Sequence, residues 1–404
     1  MKNSFKKGVL IAFGELFLKS EGVRKLFQKR LINNLRFFLA APSPSGTRAS
    51  PASPQRGEAG KINFKIYFFR ERIFVEAREV KKASKIIKKI FGIVWLAESF
   101  CFSKTTLKEL SSFINKNYPD WIKKDETFAI RLKLGKGLLK ESREEVIDKI
   151  AKNIKRKVNL KKPKREIFIE IRKNGWFLYF KKVKGAGGLP VGASEKVLSL
   201  ISGGIDSPAA SYLAAKRGAE NIWLHFHSFP LVSNVSIEKI KELAKVFLKY
   251  QPRLKIYFVP FQKAQLEIKT KIAAKYRILL YRRLMFKIAE RIAEKENCQA
   301  LVTGESLGQV SSQTLPNIKI IEEAVKIPVL RPLVGWDKEE IIKLAKKIGT
   351  FEISIKPQED CCTLFVPKHQ TAKGSIEAIK ELEKKLDSAK IIREIIKEIR
   401  VECF

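Results

Sequence analysis

The chain has 404 residues, 45% of them apolar, which is enough for two or three domains with buried cores. Lysine and arginine number 81 against 42 acidic residues, and the resulting formal charge of +39 predicts a polyanionic partner, either nucleic acid or an anionic membrane surface. No apolar run approaches the roughly 18 residues that cross a bilayer, and the five cysteines lack the spacing of a disulfide framework, so we expect a protein of the reducing cytoplasm with no membrane association.

The first 76 residues have the pattern of a small α+β domain with an insertion. Residues 9–13 are strand-like, residues 22–38 carry one apolar helical face, and strand-like alternation returns at 62–75. Between them, residues 41–60 contain four Pro, four Ser, three Gly and four Ala, with no Ile, Leu, Val or aromatic residue. Such a segment cannot bury a core, so we expect a disordered insertion, with an interdomain linker as the alternative.

Residues 77–183 predict a second, strongly basic α+β domain. Its predicted elements are helices at 82–91, 107–117 and 142–157 and strands at 95–102, 127–134, 167–171 and 176–180. Residues 151–190 hold 13 Lys and Arg against two Glu, a net charge of +11 that suits contacts with RNA phosphates. Trp176, Phe177, Tyr179 and Phe180 lie within this stretch, and strand alternation favours core positions for these aromatic residues over base stacking.

The third predicted domain, residues 194–404, follows a linker at 184–193 that has four Gly and one Pro. Strand-like runs alternate with helical patterns, and the predicted elements are strands at 197–201, 222–226, 255–259 and 299–303 and helices at 208–217, 236–249 and 263–296. This alternation predicts a parallel, doubly wound α/β sheet, whose ligands bind beyond the carboxyl ends of the strands. Asp206, His225 and Gly304 lie at those ends, so we expect them to converge.

The segment Ser202-Gly203-Gly204-Ile205-Asp206-Ser207 has the properties of a phosphate-binding loop. It joins a predicted strand to a predicted helix, its glycines allow a sharp turn with bare N–H groups, and Pro208 suits the first helical position. The helix N-terminus adds unpaired donors and positive dipole charge. The loop lacks the endings of a Walker A or a GxGxxG motif, and it resembles the PP-loop of the ATP pyrophosphatases, which cleave ATP to AMP and pyrophosphate.

Longer segments resemble the tRNA 4-thiouridine synthetases, the ThiI-type tRNA sulfurtransferases that also serve thiamine biosynthesis. The most specific is Thr303-Gly-Glu-Ser-Leu-Gly-Gln-Val-Ser-Ser-Gln-Thr314, which is similar to the second signature of that family. Shorter similar segments are Gly14–Lys19 (GELFLK), Val329–Leu333 (VLRPL), Ile348–Thr350 (IGT) and Glu359–Thr363 (EDCCT). The resemblance covers nearly the whole chain except 41–60. Some members of the family carry an additional C-terminal rhodanese domain, and because this sequence ends at Phe404 we expect the form without it.

The resemblance implies a ferredoxin-like domain at 1–76, a THUMP RNA-binding domain at 77–183 and a PP-loop domain at 194–404. It implies ATP-dependent thiolation of uridine 8 of tRNA, in which O4 is adenylated and then replaced by sulfur, and sulfur supply for the thiazole of thiamine. The implied cofactors are ATP and Mg²⁺. The implied partners are tRNA, a cysteine desulfurase or another persulfide donor, and a sulfur-carrier protein, and a homodimer is compatible with the resemblance.

The resemblance also assigns site residues. Asp206 would contact the Mg²⁺ or the phosphates, since a carboxylate is the hard oxygen ligand that this ion prefers, and the protein alone would hold no metal. Cys362 matches the sulfur-handling cysteine, with Cys361 beside it, and a basic environment would lower its thiol pKa. The residues expected to bind ATP are Leu200, Ile201, Ser202, Gly203, Gly204, Asp206, Ser207, His225, Phe226, Arg282, Gly304 and Gln313.

Several alternatives remain open from the sequence. His225 and His227 are two apart on a strand, as a metal-binding pair would be, and Cys298, Cys361 and Cys362 could ligate an iron–sulfur cluster if they met in space. Another PP-loop tRNA-modifying enzyme, for 2-thiolation or amidation, is the main functional alternative, although amidation does not need the cysteine pair. A non-enzymatic RNA-binding module with a decayed loop is disfavoured by the intact motif.

Overall fold

The computed structural model describes residues 5–14, 20–40, 62–69, 71–357, 365, 371 and 373–404. The chain divides into two compact units, residues 1–189 and 190–404. The predicted insertion at 41–60 and the cysteine pair at 361–362 lie outside the described residues, so their predictions stay untested. None of the described helices is both long and apolar enough to cross a membrane.

The first unit is built on one eight-stranded sheet. Its strands are β1 (Phe5–Phe13), β2 (Phe64–Phe69), β3 (Arg72–Ala77), β4 (Ile93–Phe102), β5 (Phe128–Leu134), β6 (Arg165–Arg172), β7 (Gly175–Tyr179) and β8 (Val183–Gly187). Its helices are α1 (Glu21–Ala40), α2 (Val80–Ile87), α3 (Leu107–Trp121) and α4 (Arg143–Ala151). The strand order is β2-β3-β1-β4-β7-β6-β5, with β8 also paired to β4, and only β5 and β6 are parallel neighbours.

The elements of the first unit lie close to the predicted ones, and their ends follow local signals. Helices α3 and α4 each begin with a capping box, at Thr106 and Ser142. Phe177 and Tyr179 are at most 1% exposed, which confirms core positions for the inward aromatic residues of β7. Strand β4 pairs with β1 on one side and β7 on the other, so the residues of both predicted N-terminal domains share a sheet, and their division at residue 76 stays a prediction.

The second unit contains a six-stranded sheet with the order β13-β12-β9-β10-β11-β14. The strands are β9 (Lys196–Leu200), β10 (Glu220–His227), β11 (Lys255–Pro260), β12 (Ala300–Val302), β13 (Val329–Leu330) and β14 (Arg400–Cys403). The helices are α5 (Asp206–Lys216), α6 (Val235–Phe247), α7 (Gln262–Lys271), α8 (Arg277–Glu296), α9 (Leu315–Glu322), α10 (Lys338–Ile348), α11 (Phe351–Ser354), α12 (Ile376–Lys384) and α13 (Ser388–Lys397). All neighbouring strands are parallel except β11 and β14, which confirms the predicted parallel α/β sheet.

Helices cover both faces of this sheet. Successive side chains of a strand point to opposite faces, so neighbouring residues of one strand pack against different helices. Trp223 of β10 packs its ring 4.8 Å from that of Phe247 in α6 and donates a hydrogen bond to Ser211 of α5. Its neighbour Leu224 belongs to the cluster on the other face, which contains the buried residues of α7 and α8. Strand β9 lies between β10 on one side and β12 on the other. The order in which successive strands are added to the sheet therefore reverses at β9, as it does at the ligand sites of doubly wound sheets.

The second unit differs from the predictions in its long helix and in the region after residue 303, for which no helix or strand was predicted. The helix predicted over 263–296 is two helices, because Arg277 caps the end of α7 by donating to the carbonyls of Lys269 and Ile272, and α8 then begins at Arg277 itself. The end of the region after residue 303 forms β14, in which Cys403 lies opposite Lys255. In the first unit, residues 184–187 of the predicted linker likewise form most of β8 and pair with β4.

Candidate active site

The loop between β9 and α5 is held in a tight turn by its own serines. Ser207 Oγ accepts a hydrogen bond from Ser202 N at 3.1 Å and lies 3.3 Å from Ser202 Oγ. Gly203 has a φ of +84°, a left-handed conformation that favours glycine. Helix α5 begins at Asp206, so Pro208 is its third residue rather than the predicted first. The Asp206 carboxylate therefore stands in the first helical turn, at the positive end of the helix dipole.

Gly304 brings the loop after β12 against the start of α5. A Cβ atom on Gly304 would lie 2.6 Å from Ser207 N and 2.7 Å from Ser207 Cα, distances that no side chain can occupy. The backbone of the phosphate-binding loop is thus in direct contact with the backbone that follows β12. This close approach explains why glycine is needed at position 304, and it brings the two predicted segments together at one end of the sheet.

The Asp206 carboxylate is bound by two side chains that the sequence did not indicate. Lys338 Nζ lies 2.7 Å and 3.0 Å from its two oxygens, and Gln309 Nε2 donates to Oδ2 at 3.0 Å. Lys338 is the first residue of α10, where a capping box between Asp337 and Glu340 starts the helix. The Asp-x-x-Glu pattern could have predicted this helix start, although not its position beside Asp206.

His225 is a packing residue in the wall of the site. Its Nδ1 lies 2.8 Å from the carbonyl oxygen of Ile201, so Nδ1 carries the proton, and its Nε2 lies 3.1 Å from Ser236 Oγ, from which it accepts. Burial lowers the pKa of His225 to about 4, so the ring is neutral. Because both ring nitrogens are engaged, the geometry is against the alternative of a metal pair with His227, and the described residues contain no group of three His, Cys, Asp or Glu placed to hold a metal.

Arg282 reaches the site from α8 and is held by two partners. Its Nη2 lies 2.6 Å from Glu305 Oε1, and its Nη1 donates to Ser312 Oγ at 2.9 Å. Glu305 is 2% exposed and also accepts from Arg331 Nε at 2.7 Å and from Thr303 Oγ1 at 2.9 Å. Burial alone would raise the pKa of the Glu305 carboxyl, but the charges of Arg282 and Arg331 outweigh it and hold the pKa below its usual value.

These segments enclose one cleft at the carboxyl ends of β9, β10 and β12. Ten of the twelve predicted ATP-binding residues line it, namely Leu200, Ile201, Ser202, Asp206, Ser207, His225, Phe226, Arg282, Gly304 and Gln313. Gly203 and Gly204 belong to the same loop without lining the cleft. The rest of its wall was not among the predicted ATP-binding residues, although two of its members belong to the 303–314 segment; it is formed by Leu224, Ser236, Met285, Phe286, Thr303 and Glu305.

None of the three described cysteines lines this cleft. Cys298 precedes β12 and Cys403 lies opposite the first residue of β11, so both are at the amino ends of the strands. Burial raises the pKa of the Cys298 thiol to about 11. Cys101 is buried in the first unit, and burial raises its pKa to about 12. None of these three thiols therefore occupies the end of the sheet at which the cleft opens.

The described residue closest in sequence to Cys362 lies in a basic environment. Phe365, three residues later, accepts a hydrogen bond from Arg277 Nη1 through its carbonyl oxygen at 2.9 Å. Lys269 Nζ lies 4.0 Å from the centre of the Phe365 ring. Asn317 donates to the Thr371 carbonyl at 2.9 Å. Phe365 is thus held at the junction of α7 and α8, and Thr371 at the start of α9.

Two protein-family models match the chain. The THUMP domain matches residues 105–181, and the thiamine biosynthesis protein (ThiI) family matches residues 192–388. The first range lies within the basic first unit, and the second contains the cleft. The similarity thus covers both of the structural units described above.

Similarity to individual proteins extends over nearly the full length. A probable tRNA sulfurtransferase of Moorella thermoacetica is 35% identical over 401 residues, covering 97% of this chain and 96% of the relative. One of Caldanaerobacter subterraneus subsp. tengcongensis is 39% identical over 402 residues, covering 98% and 99%. A crystal structure of a 4-thiouridine synthetase–RNA complex with bound ATP matches with a TM-score of 0.86 and 31% identity, covering 99% of this chain and all of that one.

Proposed function

Because this chain belongs to the ThiI family of tRNA sulfurtransferases, we propose that it uses ATP to replace O4 of uridine 8 in tRNA with sulfur. Uridine O4 is a poor leaving group, so O4 first attacks the α-phosphate of ATP and pyrophosphate departs. The outer sulfur of a cysteine persulfide then attacks C4, and AMP leaves with the former O4. An external thiol attacks the cysteine sulfur of the resulting disulfide, which releases 4-thiouridine and leaves a mixed disulfide that a second thiol reduces. The observation that carries the proposal is the cleft, in which the nucleotide loop, Asp206 and Arg282 meet.

The chain's own groups suit the polyphosphate part of this reaction. The loop from Ser202 to Ser207 would hold pyrophosphate against the N-terminus of α5, where backbone N–H groups and the helix dipole favour an anion. Arg282 would neutralise the charge that develops on the phosphates as the α-phosphate is attacked. The apolar residues Leu224 and Phe286 in the wall would accommodate the adenine.

Mg²⁺ fits this site as an ion that ATP brings with it. Asp206 is a carboxylate at the edge of the cleft, and Mg²⁺ in phosphate-transfer enzymes commonly uses one or two carboxylates together with substrate phosphates. When bound, the ion would supply charge neutralisation to the phosphates. Asp206 is the residue of the chain that would hold it, with Lys338 as a second cation beside the same carboxylate.

The adenylation step can be tested by nucleotide stoichiometry. Purified protein, unmodified tRNA, ATP and a sulfide or persulfide source should yield one AMP and one pyrophosphate for each thiolated uridine. A tRNA with cytidine at position 8 is the matched control and should give neither product. Release of ADP and phosphate, or nucleotide cleavage that is equal with both tRNAs, would contradict the proposal.

Lys338 should contribute to ATP use through its position beside Asp206. Replacing Lys338 by Met removes a cation while keeping an unbranched side chain, so we expect kcat/KM for ATP to fall by about 10- to 100-fold. Steady-state 4-thiouridine formation at varied ATP measures this. Lys343→Met on the same helix is the control, because Lys343 is exposed and pairs only with Glu339 among the described residues. Equal effects of the two substitutions would remove Lys338 from the site.

The first unit is proposed to bind the tRNA through its lysines. Residues 151–190 contain ten exposed lysines, and none of them forms an ion pair with a described residue. Two of the three arginines of this stretch form ion pairs, Arg165 with Glu126 and Arg172 with Glu170, and Arg156 donates to the carbonyl of Ile122. The lysines are therefore the groups available to contact RNA phosphates.

Replacing Lys155, Lys157, Lys161 and Lys162 by Gln should weaken tRNA binding and its salt dependence together. Each lost phosphate contact lowers the slope of log K against log salt by about 0.7 to 0.9, so the loss of all four contacts should lower the slope by about 3 to 4. Filter binding or fluorescence anisotropy at several salt concentrations gives the slope.

The control removes the same charge elsewhere. Lys295, Lys385, Lys390 and Lys397 are exposed lysines of the second unit, and their replacement by Gln should leave the slope nearly unchanged. If the slope falls equally in the control variant and in the first-unit variant, the lysines of the two units contribute equally to tRNA binding, and binding is not localised to residues 151–190. If the first-unit variant keeps the wild-type slope, the lysines of residues 151–190 do not contact the phosphates.

Sulfur delivery is assigned to Cys362, with a cysteine desulfurase or another persulfide donor as its source. The role rests on the match of Cys362 to the sulfur-handling cysteine of the family; Arg277 and Lys269 contact Phe365, three residues later in the chain. Supply of sulfur to a carrier protein for thiazole synthesis would use the same cysteine. A cytoplasmic location, which suits tRNA as the substrate, and a homodimer remain parts of the proposal.

A further inference from the structure

We propose that Glu305 is a positioning residue, which fixes the guanidinium of Arg282 in the orientation that contacts the phosphates of ATP. The inference rests on the proposed function, and it gives a role to a residue that was not among the predicted site residues. Both residues border the cleft, but Arg282 has 17% of its side chain exposed, whereas Glu305 has only 2% exposed and has its carboxylate oxygens against Arg282, Arg331 and Thr303. Glu305 therefore acts on the reaction through Arg282.

Two contacts restrain the guanidinium of Arg282, an ion pair with Glu305 and a hydrogen bond with Ser312. Glu305 Oε1 lies 2.6 Å from Nη2, and Ser312 Oγ accepts from Nη1 at 2.9 Å. An arginine side chain has several rotatable bonds, and ordering it costs conformational entropy. When two partners hold the guanidinium before ATP binds, the entropy of the Arg282 side chain is already lost on folding. Binding of the phosphates then does not have to order this side chain.

The remaining contacts of Glu305 explain how a carboxylate can be buried here. Its Oε2 accepts from Arg331 Nε at 2.7 Å and from Thr303 Oγ1 at 2.9 Å. Arg331 is anchored in turn by Glu322, whose Oε2 lies 2.6 Å from Nη1. A buried carboxylate is stable only when its charge and its hydrogen bonds are satisfied, and Arg331 supplies the second positive charge. Arg282 is thus held by an ionised group that does not depend on Arg282 alone.

The next residue of the same helix provides a matched comparison. Arg283 is 3% exposed and binds Glu383 of α12 through Nη2 at 2.8 Å. This is also a buried arginine–glutamate pair on α8, but neither residue lines the cleft. Substitution of Glu383 by Gln therefore removes a comparable carboxylate and measures the effect of a lost buried ion pair on the fold alone.

The test is a double-mutant cycle of Glu305→Gln and Arg282→Lys in the full-length protein, with Glu383→Gln as control. For each variant, kcat and KM for ATP are measured in 4-thiouridine formation, the ATP dissociation constant is measured by equilibrium binding, and the melting temperature is recorded. Lysine keeps the charge of Arg282 but cannot engage two partners as a fork. The binding measurement completes the cycle for any variant whose activity is too low to quantify.

We expect Glu305→Gln alone to lower kcat/KM for ATP by about 30-fold or more, and in the Arg282→Lys background to lower it by less than about 3-fold. Glu383→Gln should lower the melting temperature similarly and leave kcat/KM within about 3-fold of wild type. Equal factors for Glu305→Gln in both backgrounds, or equal losses in Glu305→Gln and Glu383→Gln, would overturn the inference. If Glu305→Gln does not fold, Glu305→Asp, which keeps the charge but withdraws it by one methylene, replaces it in the same cycle with the same criteria. Inactivity of the wild-type protein would instead refute the proposed function.

Discussion

Replacement of Asp206 by Asn should reduce 4-thiouridine formation by at least about 100-fold while tRNA binding stays unchanged. The substitution preserves size and one acceptor but removes the charge that faces Lys338 and, in the proposed reaction, Mg²⁺ and the phosphates. The tRNA is bound in the proposal by lysines of residues 151–190, which the substitution does not touch. AMP formation, 4-thiouridine content and tRNA affinity measured on one preparation separate these effects.

The control for Asp206 is another aspartate at a helix start. Asp387 caps α13 by accepting from Lys390 N at 3.0 Å, and Asn at this position can still cap. Asp387→Asn should therefore retain normal activity and stability. Near-normal 4-thiouridine formation by Asp206→Asn would show that the carboxylate is not needed for adenylation.

Replacement of Cys362 by Ser should abolish thiolation with a persulfide donor and leave adenylation intact. The hydroxyl cannot carry a transferable sulfur, so the reaction should stop after pyrophosphate release. The measurement pairs 4-thiouridine content with release of pyrophosphate in a single turnover. Normal thiolation by this variant would place the sulfur on another residue.

The other cysteines should be dispensable in multiple turnover when an external thiol is present. Cys298 and Cys403 lie at the amino ends of the strands, and the Cys298 thiol is buried with a raised pKa, so neither is placed to resolve a persulfide near the cleft. Cys361 is adjacent to Cys362, but a disulfide between neighbouring residues is strained. Cys298→Ser and Cys403→Ser should stay active. Loss of turnover in Cys298→Ser, with an intramolecular disulfide trapped in wild type, would identify Cys298 as the resolving residue.

The sequence predicts the place of the site because the rule for parallel sheets is strong. Asp206, His225 and Gly304 each follow a strand, and the carboxyl ends of parallel strands meet at one edge, so their convergence follows from topology. Local signals also suffice for the glycine-rich loop and for the capping boxes of α3 and α4. These features depend on residues that are close in the chain or on a periodic pattern.

The partners of the predicted residues depend on packing that no local pattern encodes. Lys338 is 132 residues from Asp206, and it reaches the carboxylate only because α10 packs beside α5. Arg331 and Glu305 likewise meet across two different loops. The break between α7 and α8 contains neither Gly nor Pro, since the Arg277 side chain ends the first helix, and β14 forms only when β11 offers a free edge.

The central claim is tested most directly by nucleoside mass spectrometry of tRNA from cells with and without this protein. The account predicts that 4-thiouridine is present at position 8 with the protein, is absent without it, and is restored by the wild-type gene but not by Asp206→Asn. Unchanged 4-thiouridine, or loss instead of a 2-thiouridine or an amidated nucleoside at another position, would contradict it.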